Sequence, residues 1–385
     1  MRRLLLGACA LRFLDSFVLI LPFYTVMFAE SGLSPAEIGV ILASWSAVCL
    51  LLEVPCGVLA DRFSRRWLMA IAQLVRCVGF GVWLAFPGFW GFLIGLMLWG
   101  FKSATLSGAF EAAVFDELKS EKREDEYVRI FGRTQAARFA GVLAASLAGA
   151  ALSFLTYPHM IWASMATGVA AAGAALLMPP APRAAHTGDW NYFGHLRRGA
   201  LEAMRLPGVP RLLTFIAATQ AVVWALADYW QLFAQQVGLP KPGIALFTAA
   251  LAAAGTLAAA VAHRLRSLPL PTLYLMILAA GACVTAAGAV FHPWAVALPV
   301  VYVALFWLVD VNADARFQHA LRPETRATVA SVKGFVMQCG TVLLMLGFGF
   351  VAELGSYRAA FIASGVAAMA VGLVYMLTER RQSAG

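Results

Sequence analysis

Runs of about 20 apolar residues recur along the whole chain, each separated from the next by a short polar stretch, and this pattern restricts the fold more than any other feature. A bilayer core about 30 Å thick needs about 20 residues of α-helix, at about 1.5 Å per residue. We read twelve such runs, and none of the ten-residue alternations of a membrane β-barrel. Hydrophobic residues make up 61% of the chain and charged residues 13%. A soluble globule has nearer about one half and one quarter. The expectation is an all-α polytopic membrane protein with twelve transmembrane helices.

The formal charge of +9 is distributed by side of the membrane rather than gathered in a patch that would suit nucleic acid. One set of loops carries Arg2, Arg3, Arg62, Arg65, Arg66, Lys119, Lys122, Arg123, Arg129, Arg133, the linker arginines, Arg264, Arg266, Arg322, Arg326, Arg380 and Arg381; the other carries only Lys241 and Arg358. The positive-inside rule then places both termini in the cytoplasm, with a bacterial inner membrane the expected location. Cys9, Cys49, Cys56, Cys77, Cys283 and Cys339 fall inside the apolar runs without paired spacing, so neither a disulfide frame nor a metal site is expected. Leu6-Gly7-Ala8-Cys9 looks like a lipoprotein cleavage box, but the apolar run continues to Ala29, which predicts an uncleaved first helix over about 4–29.

The stretch Gly57-Val58-Leu59-Ala60-Asp61-Arg62-Phe63-Ser64-Arg65-Arg66 lies between the second and third runs and predicts a tight turn between two helices. Gly57 would let a helix end pack closely, Asp61 would accept from free N–H groups at a helix start, and Arg62, Arg65 and Arg66 would face anionic headgroups. The pattern Gly-x-Leu-Ala-Asp-Arg-x-x-Arg-Arg resembles the signature loop between the second and third helices of the major facilitator superfamily, with Ser64 where that motif usually has glycine. Arg322-Pro323-Glu324-x-Arg326-Ala327-Thr328, leading into the eleventh run, is similar to another frequent pattern of that superfamily. The resemblance implies two pseudo-symmetric six-helix bundles, a monomer, and a secondary transporter, nearest to bacterial multidrug-efflux members. It also implies that Asp61 and the motif arginines tie the first bundle to helix 11. The Gly-Pro motif that antiporter members carry in helix 5 is absent here; Gly141 and Gly149 stand among alanines instead.

Ser34-Pro35-Ala36-Glu37 has an N-cap serine, a first-turn proline and a capping-box glutamate, which places the start of the second helix there. Composition shifts at Pro179-Pro180-Ala181-Pro182, and 190–206 sets Leu196, Leu201 and Met204 among arginines, as in an amphipathic helix on a membrane surface. The expected organisation is a bundle over 1–178, a linker over 179–211, and a second bundle over 212–385. Ala262-His263-Arg264-Leu265-Arg266 echoes the arginine loop in the second half, which suits a duplicated transporter plan.

A charge near the bilayer centre costs several kcal/mol unless it is paired or lines water, so each ionisable group inside a run is a functional candidate. Glu53, Glu111, Asp116, Arg138, Asp314 and Lys333 fall in the cytoplasmic thirds of their runs, and are expected, with Gly57, Asp61, Arg62, Arg65 and Arg66, to form a gate held by salt bridges. Arg12, Asp15, Arg76, Lys102, Asp228 and Asp310 are the candidates for proton coupling or a substrate cavity. Asp15, near mid-bilayer, is the expected proton carrier; the alternative is that it pairs with Arg12 on its own helix or with Arg76. Phe23, Tyr24, Trp99, Trp224, Tyr229, Trp230, Phe306 and Trp307 are pocket candidates, helix packing being the commoner use of such residues.

No phosphate-binding loop, metal-ligand spacing or nucleophile elbow occurs, so neither an enzyme nor a cofactor is expected. The sequence favours alternating-access, proton-coupled efflux of a small amphipathic or drug-like compound. A carrier of an anionic metabolite, using Arg12, Arg76, Lys102 and Arg138, is the alternative, followed by a membrane sensor that does not transport.

Overall fold

The computed structural model describes residues 2–180, 192–322 and 326–383. These fold into helices α1 (Arg2–Ser16), α2 (Tyr24–Glu30), α3 (Pro35–Arg62), α4 (Arg65–Ala85), α5 (Phe89–Ser120), α6 (Tyr127–Ala151), α7 (Tyr157–Leu177), α8 (Tyr192–Arg205), α9 (Val209–Ala227), α10 (Tyr229–Gln236), α11 (Lys241–Val261), α12 (Leu270–Val290), α13 (Ala297–Ala320), α14 (Arg326–Leu354) and α15 (Tyr357–Ser383). No strand occurs among the described residues.

Ten helices among the described residues are long and apolar enough to cross a membrane. Twelve were expected, and two of the expected runs account for the difference. The first is broken, ending as α1 at Ser16 and resuming as α2 at Tyr24. The fifth, α6, carries Arg129, Arg133 and Arg138 and is not among the ten. The seventh run is also interrupted, at Asp228 between α9 and α10.

The chain forms two compact units. The first comprises Met1–Leu33, Ser44–Asp189 and Lys241–Ala249; the second comprises Ser34–Ala43, Trp190–Pro240 and Ala250–Gly385. In the first unit Leu4, Ala8 and Leu11 of α1 repeat at helical spacing and are buried with Met69 of α4, Leu106, Phe110 and Val114 of α5, and Ala171 and Ala175 of α7. In the second unit small residues let α12 and α15 approach backbone to backbone. A Cβ on Gly281 would lie 2.6 Å from the Met369 nitrogen, and one on Gly372 2.8 Å from the Leu278 nitrogen. Such close approach is how helices associate where lipid supplies no hydrophobic drive.

The capping box forms as expected: the Glu37 N–H donates to Ser34 Oγ at 3.3 Å and the Ser34 N–H to Glu37 Oε2 at 2.8 Å. The arginine motif differs from expectation. Most of it is helical, since α3 continues through Arg62 and the turn is only Phe63-Ser64. Gly57 therefore sits inside a helix, where an added Cβ would meet nothing within 4 Å, so it does not serve close packing. Pro55, also inside α3, does not end the helix.

The amphipathic segment is helical over Tyr192–Arg205, with Leu201 and Met204 exposed. Its Gly199 packs against α14, where a Cβ would stand 2.6 Å from the Thr328 carbonyl oxygen. Pro323 and Glu324 of the second superfamily pattern lie outside the described residues, as does the side chain of Asp61.

Candidate functional site

The break after α1 builds the polar centre of the first unit. Where a helix stops, its last carbonyls lose their intrahelical donors, and in an apolar surrounding each must find another. Arg76 of α4 supplies one, its Nη1 donating to the Asp15 carbonyl at 2.6 Å. Thr167 of α7 donates its hydroxyl to the Phe17 carbonyl at 2.8 Å, and Ser164 Oγ accepts the Ile20 N–H at 3.1 Å. The unwound segment is thus held by polar side chains from two neighbouring helices.

The same geometry gathers charge. Asp15 Oδ1 accepts from Lys102 Nζ of α5 at 2.7 Å, from Gln73 Nε2 of α4 at 2.8 Å, and from Arg76 Nη1 at 3.3 Å. All are buried: Arg76 is 0% exposed, Lys102 5% and Asp15 9%. Two cations therefore meet one carboxylate. Arg76 Nε and Nη2 and Gln73 Oε1 are buried without hydrogen-bond partners among the described residues. Arg12 does not pair with Asp15; its guanidinium lies 4.3 Å from the centroid of the Phe110 ring.

Next to this cluster stands a group of rings. Phe80, four residues after Arg76, lies 5.2 Å from Trp99, three residues before Lys102, and Tyr24 of α2 lies 5.9 Å from Trp99 and 6.2 Å from Trp83.

The second unit places its buried carboxylate differently. Asp310 of α13, 9% exposed, accepts from Gln220 Nε2 of α9 at 2.8 Å and makes no ion pair among the described residues. One turn on, Asp314 pairs with Lys333 of α14. Asp228 sits at the α9–α10 junction and is partnered. Of the ring candidates, Phe23, Tyr24, Tyr229, Trp230 and Phe306 are buried, with Tyr229 stacked on Phe348 at 3.8 Å and Trp230 on Phe361 at 5.1 Å. Trp224 is exposed.

Of the residues expected at a gate, Arg65 pairs with Asp116, and Lys333 with Asp314. Glu53, Glu111 and Arg138 are exposed and make no hydrogen bond or ion pair among the described residues. Arg62 is partnered. Sequence reasoning missed Gln73, Ser164 and Thr167. Only Gln73 left a trace, as a polar interruption of an apolar run; small hydroxyl residues in a helix give no such signal. No group of three or more metal-ligating side chains occurs among the described residues.

A sequence profile of the Major Facilitator Superfamily matches residues 5–332. The inner membrane transport protein YajR of Escherichia coli (strain K12) is 30% identical over 133 residues, which are 34% of this chain and 27% of that protein. The matched stretch is thus only about a quarter of that relative. Among solved structures, the nucleoside transporter NupG superposes with a TM-score of 0.79 at 14% identity, covering 97% of this chain and 98% of that one. A bacterial homolog of the human lysosomal transporter Spinster gives 0.76 at 16% identity, over 98% and 96% of the two chains. The D-xylose-proton symporter gives 0.75 at 14% identity, over 97% and 96%. At these identities the structural likeness speaks for the fold, and the profile for descent. Together with the arginine motif between α3 and α4, they establish that the chain belongs to the Major Facilitator Superfamily.

Proposed function

We propose that the chain is a secondary transporter working by alternating access, coupled to protons, and that it exports a small amphipathic compound. The observation that carries the coupling is the difference between the two buried carboxylates. Asp15 is matched by Lys102 and Arg76, so neutralising it would strand two buried cations. Among the described residues Asp310 is matched by the Gln220 amide and by no cation, so it can gain or lose a proton without stranding one. Asp314, one turn on from Asp310, is occupied with Lys333. In this reading Asp310 carries the proton, in place of Asp15 as the sequence suggested, and the Asp15 cluster holds the broken first helix. The ring group of Tyr24, Phe80 and Trp99 beside that cluster suits a compound with an apolar part. The related proteins named above carry solutes as different as nucleosides and D-xylose, so the family alone does not select a substrate.

A second reading has its own support. Arg76 and Lys102 outnumber Asp15, and Arg76 keeps two buried nitrogens without partners, which favours an anionic compound. Proteoliposomes loaded with a pH-sensitive dye separate the readings. An amphipathic cation or neutral compound that moves protons with the native chain, and not with Asp310→Asn, supports the first. Proton movement driven only by carboxylates or phosphates supports the second, and movement that survives in Asp310→Asn removes Asp310 from the coupling role.

A further inference from the structure

A cavity of about 100 Å³ lies at the basic end of the first unit, lined by Phe63, Ser64, Arg65 and Arg66 at the start of α4, and by Met178, Pro179 and Pro180 after α7. Three features give it the chemistry of a phosphate site. The first turn of α4 presents backbone N–H groups without intrahelical partners, and Ser64, its N-cap, makes no side-chain cap. Arg65 is committed to Asp116, but Arg66 is not: its Nε is buried and has no hydrogen-bond partner among the described residues. Arg3 adds a further cation nearby, its Nε donating to the Leu177 carbonyl at 2.9 Å.

A fourth feature selects the source of the phosphate. Phe63, Trp67, Ile71, Leu74 and Val78 are all exposed, and the last four follow one another at spacings of four, three and four residues along α4. They form one apolar stripe that begins beside Arg66 and runs toward the membrane interior. A free phosphate has no use for such a stripe; an acyl chain does. Aromatic rings at the head of it are placed as interfacial anchors usually are.

We propose that this cavity binds the phosphodiester of an anionic phospholipid, with Arg66 and the α4 N-terminus holding the phosphate and an acyl chain lying along Trp67, Ile71, Leu74 and Val78. The inference does not depend on what the protein transports. It assigns a lipid ligand to Arg66, an arginine that makes no ion pair among the described residues.

Native mass spectrometry of the full chain in detergent, titrated with dioleoyl-phosphatidylglycerol, tests it. The native chain should retain one lipid, and Arg66→Gln should bind it about tenfold more weakly, as loss of one charge-assisted contact predicts. Arg66→Lys, which keeps the charge and the fold but not the planar fork, should fall between the two. In nanodiscs with brominated phosphatidylglycerol, the native chain should show a quenched tryptophan component that Trp67→Phe lacks. Equal affinity of the native chain and both Arg66 variants would overturn the proposal. So would displacement of the lipid by millimolar inorganic phosphate, which would assign the cavity to a free anion.

Discussion

Asp15 accepts a hydrogen bond from Lys102 Nζ at 2.7 Å while its own carbonyl accepts one from Arg76 Nη1 at 2.6 Å, so one residue at the end of α1 ties that helix to α5 by its side chain and to α4 by its backbone. The tie exists because the helix stops there. Were α1 to continue, the Asp15 carbonyl would be taken by the N–H four residues on, and Arg76 would lose its shortest contact.

Removing the charge at that point is expected to damage the fold. Asp15→Asn leaves Lys102 and Arg76 buried without a counter-charge, a change that costs about 3–5 kcal/mol where it has been measured in buried pairs. Thermal unfolding of the purified protein in detergent should show a clear loss. Lys102→Met removes one of two cations and leaves Asp15 paired with Arg76, and should be milder.

The matching change in the second unit should spare the fold. Asp310→Asn keeps an acceptor oxygen for Gln220 and removes no ion pair, so stability should change by about 1 kcal/mol or less. Solute-driven proton movement in proteoliposomes should be abolished. A folded Asp310→Asn with native proton movement would return attention to Asp15.

The unwound segment gives a third test. Thr167→Val preserves volume but leaves the Phe17 carbonyl without its donor, with an expected cost of about 1–3 kcal/mol. Hydrogen exchange, read by mass spectrometry over peptides spanning residues 17–23, should rise in the variant.

Helix packing in the second unit gives a fourth. Gly365 faces α12 so closely that an added Cβ would collide with the Thr285 nitrogen, an atom of the backbone that cannot swing away. Gly365→Val should cost about 1–3 kcal/mol or more and lower the yield of folded protein. Gly57→Ala, with open space around it, should be neutral or slightly stabilising, because glycine inside a helix costs about 0.5–1 kcal/mol relative to alanine. Parallel size-exclusion profiles would show the contrast.

Loss of a cap is the mildest expected change. Ser34→Ala removes the acceptor for the Glu37 N–H and should cost about 1 kcal/mol, measurable as a small drop in unfolding temperature.

Sequence alone determined the elements whose causes are local or periodic. The apolar runs specify membrane-length helices because a segment crossing lipid must satisfy its backbone internally, and only a helix does so within one segment. The capping box at Ser34 and Glu37 was legible because its partners stand three residues apart. The arginine motif was legible as a family mark, but not as a shape: nothing in Gly57 to Arg62 stops a helix, and α3 runs through it.

Tertiary structure decided what depends on residues distant in the chain. The break after Ser16 holds Pro22, which has no N–H to continue a helix, but the proline does not say how far back the chain unwinds; the unwound stretch persists because Arg76, Ser164 and Thr167 take up the backbone groups it frees. Spacing along the chain left Asp15 two alternative partners, Arg12 on its own helix or Arg76; in the fold Phe110 takes Arg12, and Asp15 is met by Arg76 together with Lys102. The sequence lists the charges, and only the packing of helices says which of them neutralise one another, because the energy of a buried charge is set by its neighbours in space and not along the chain.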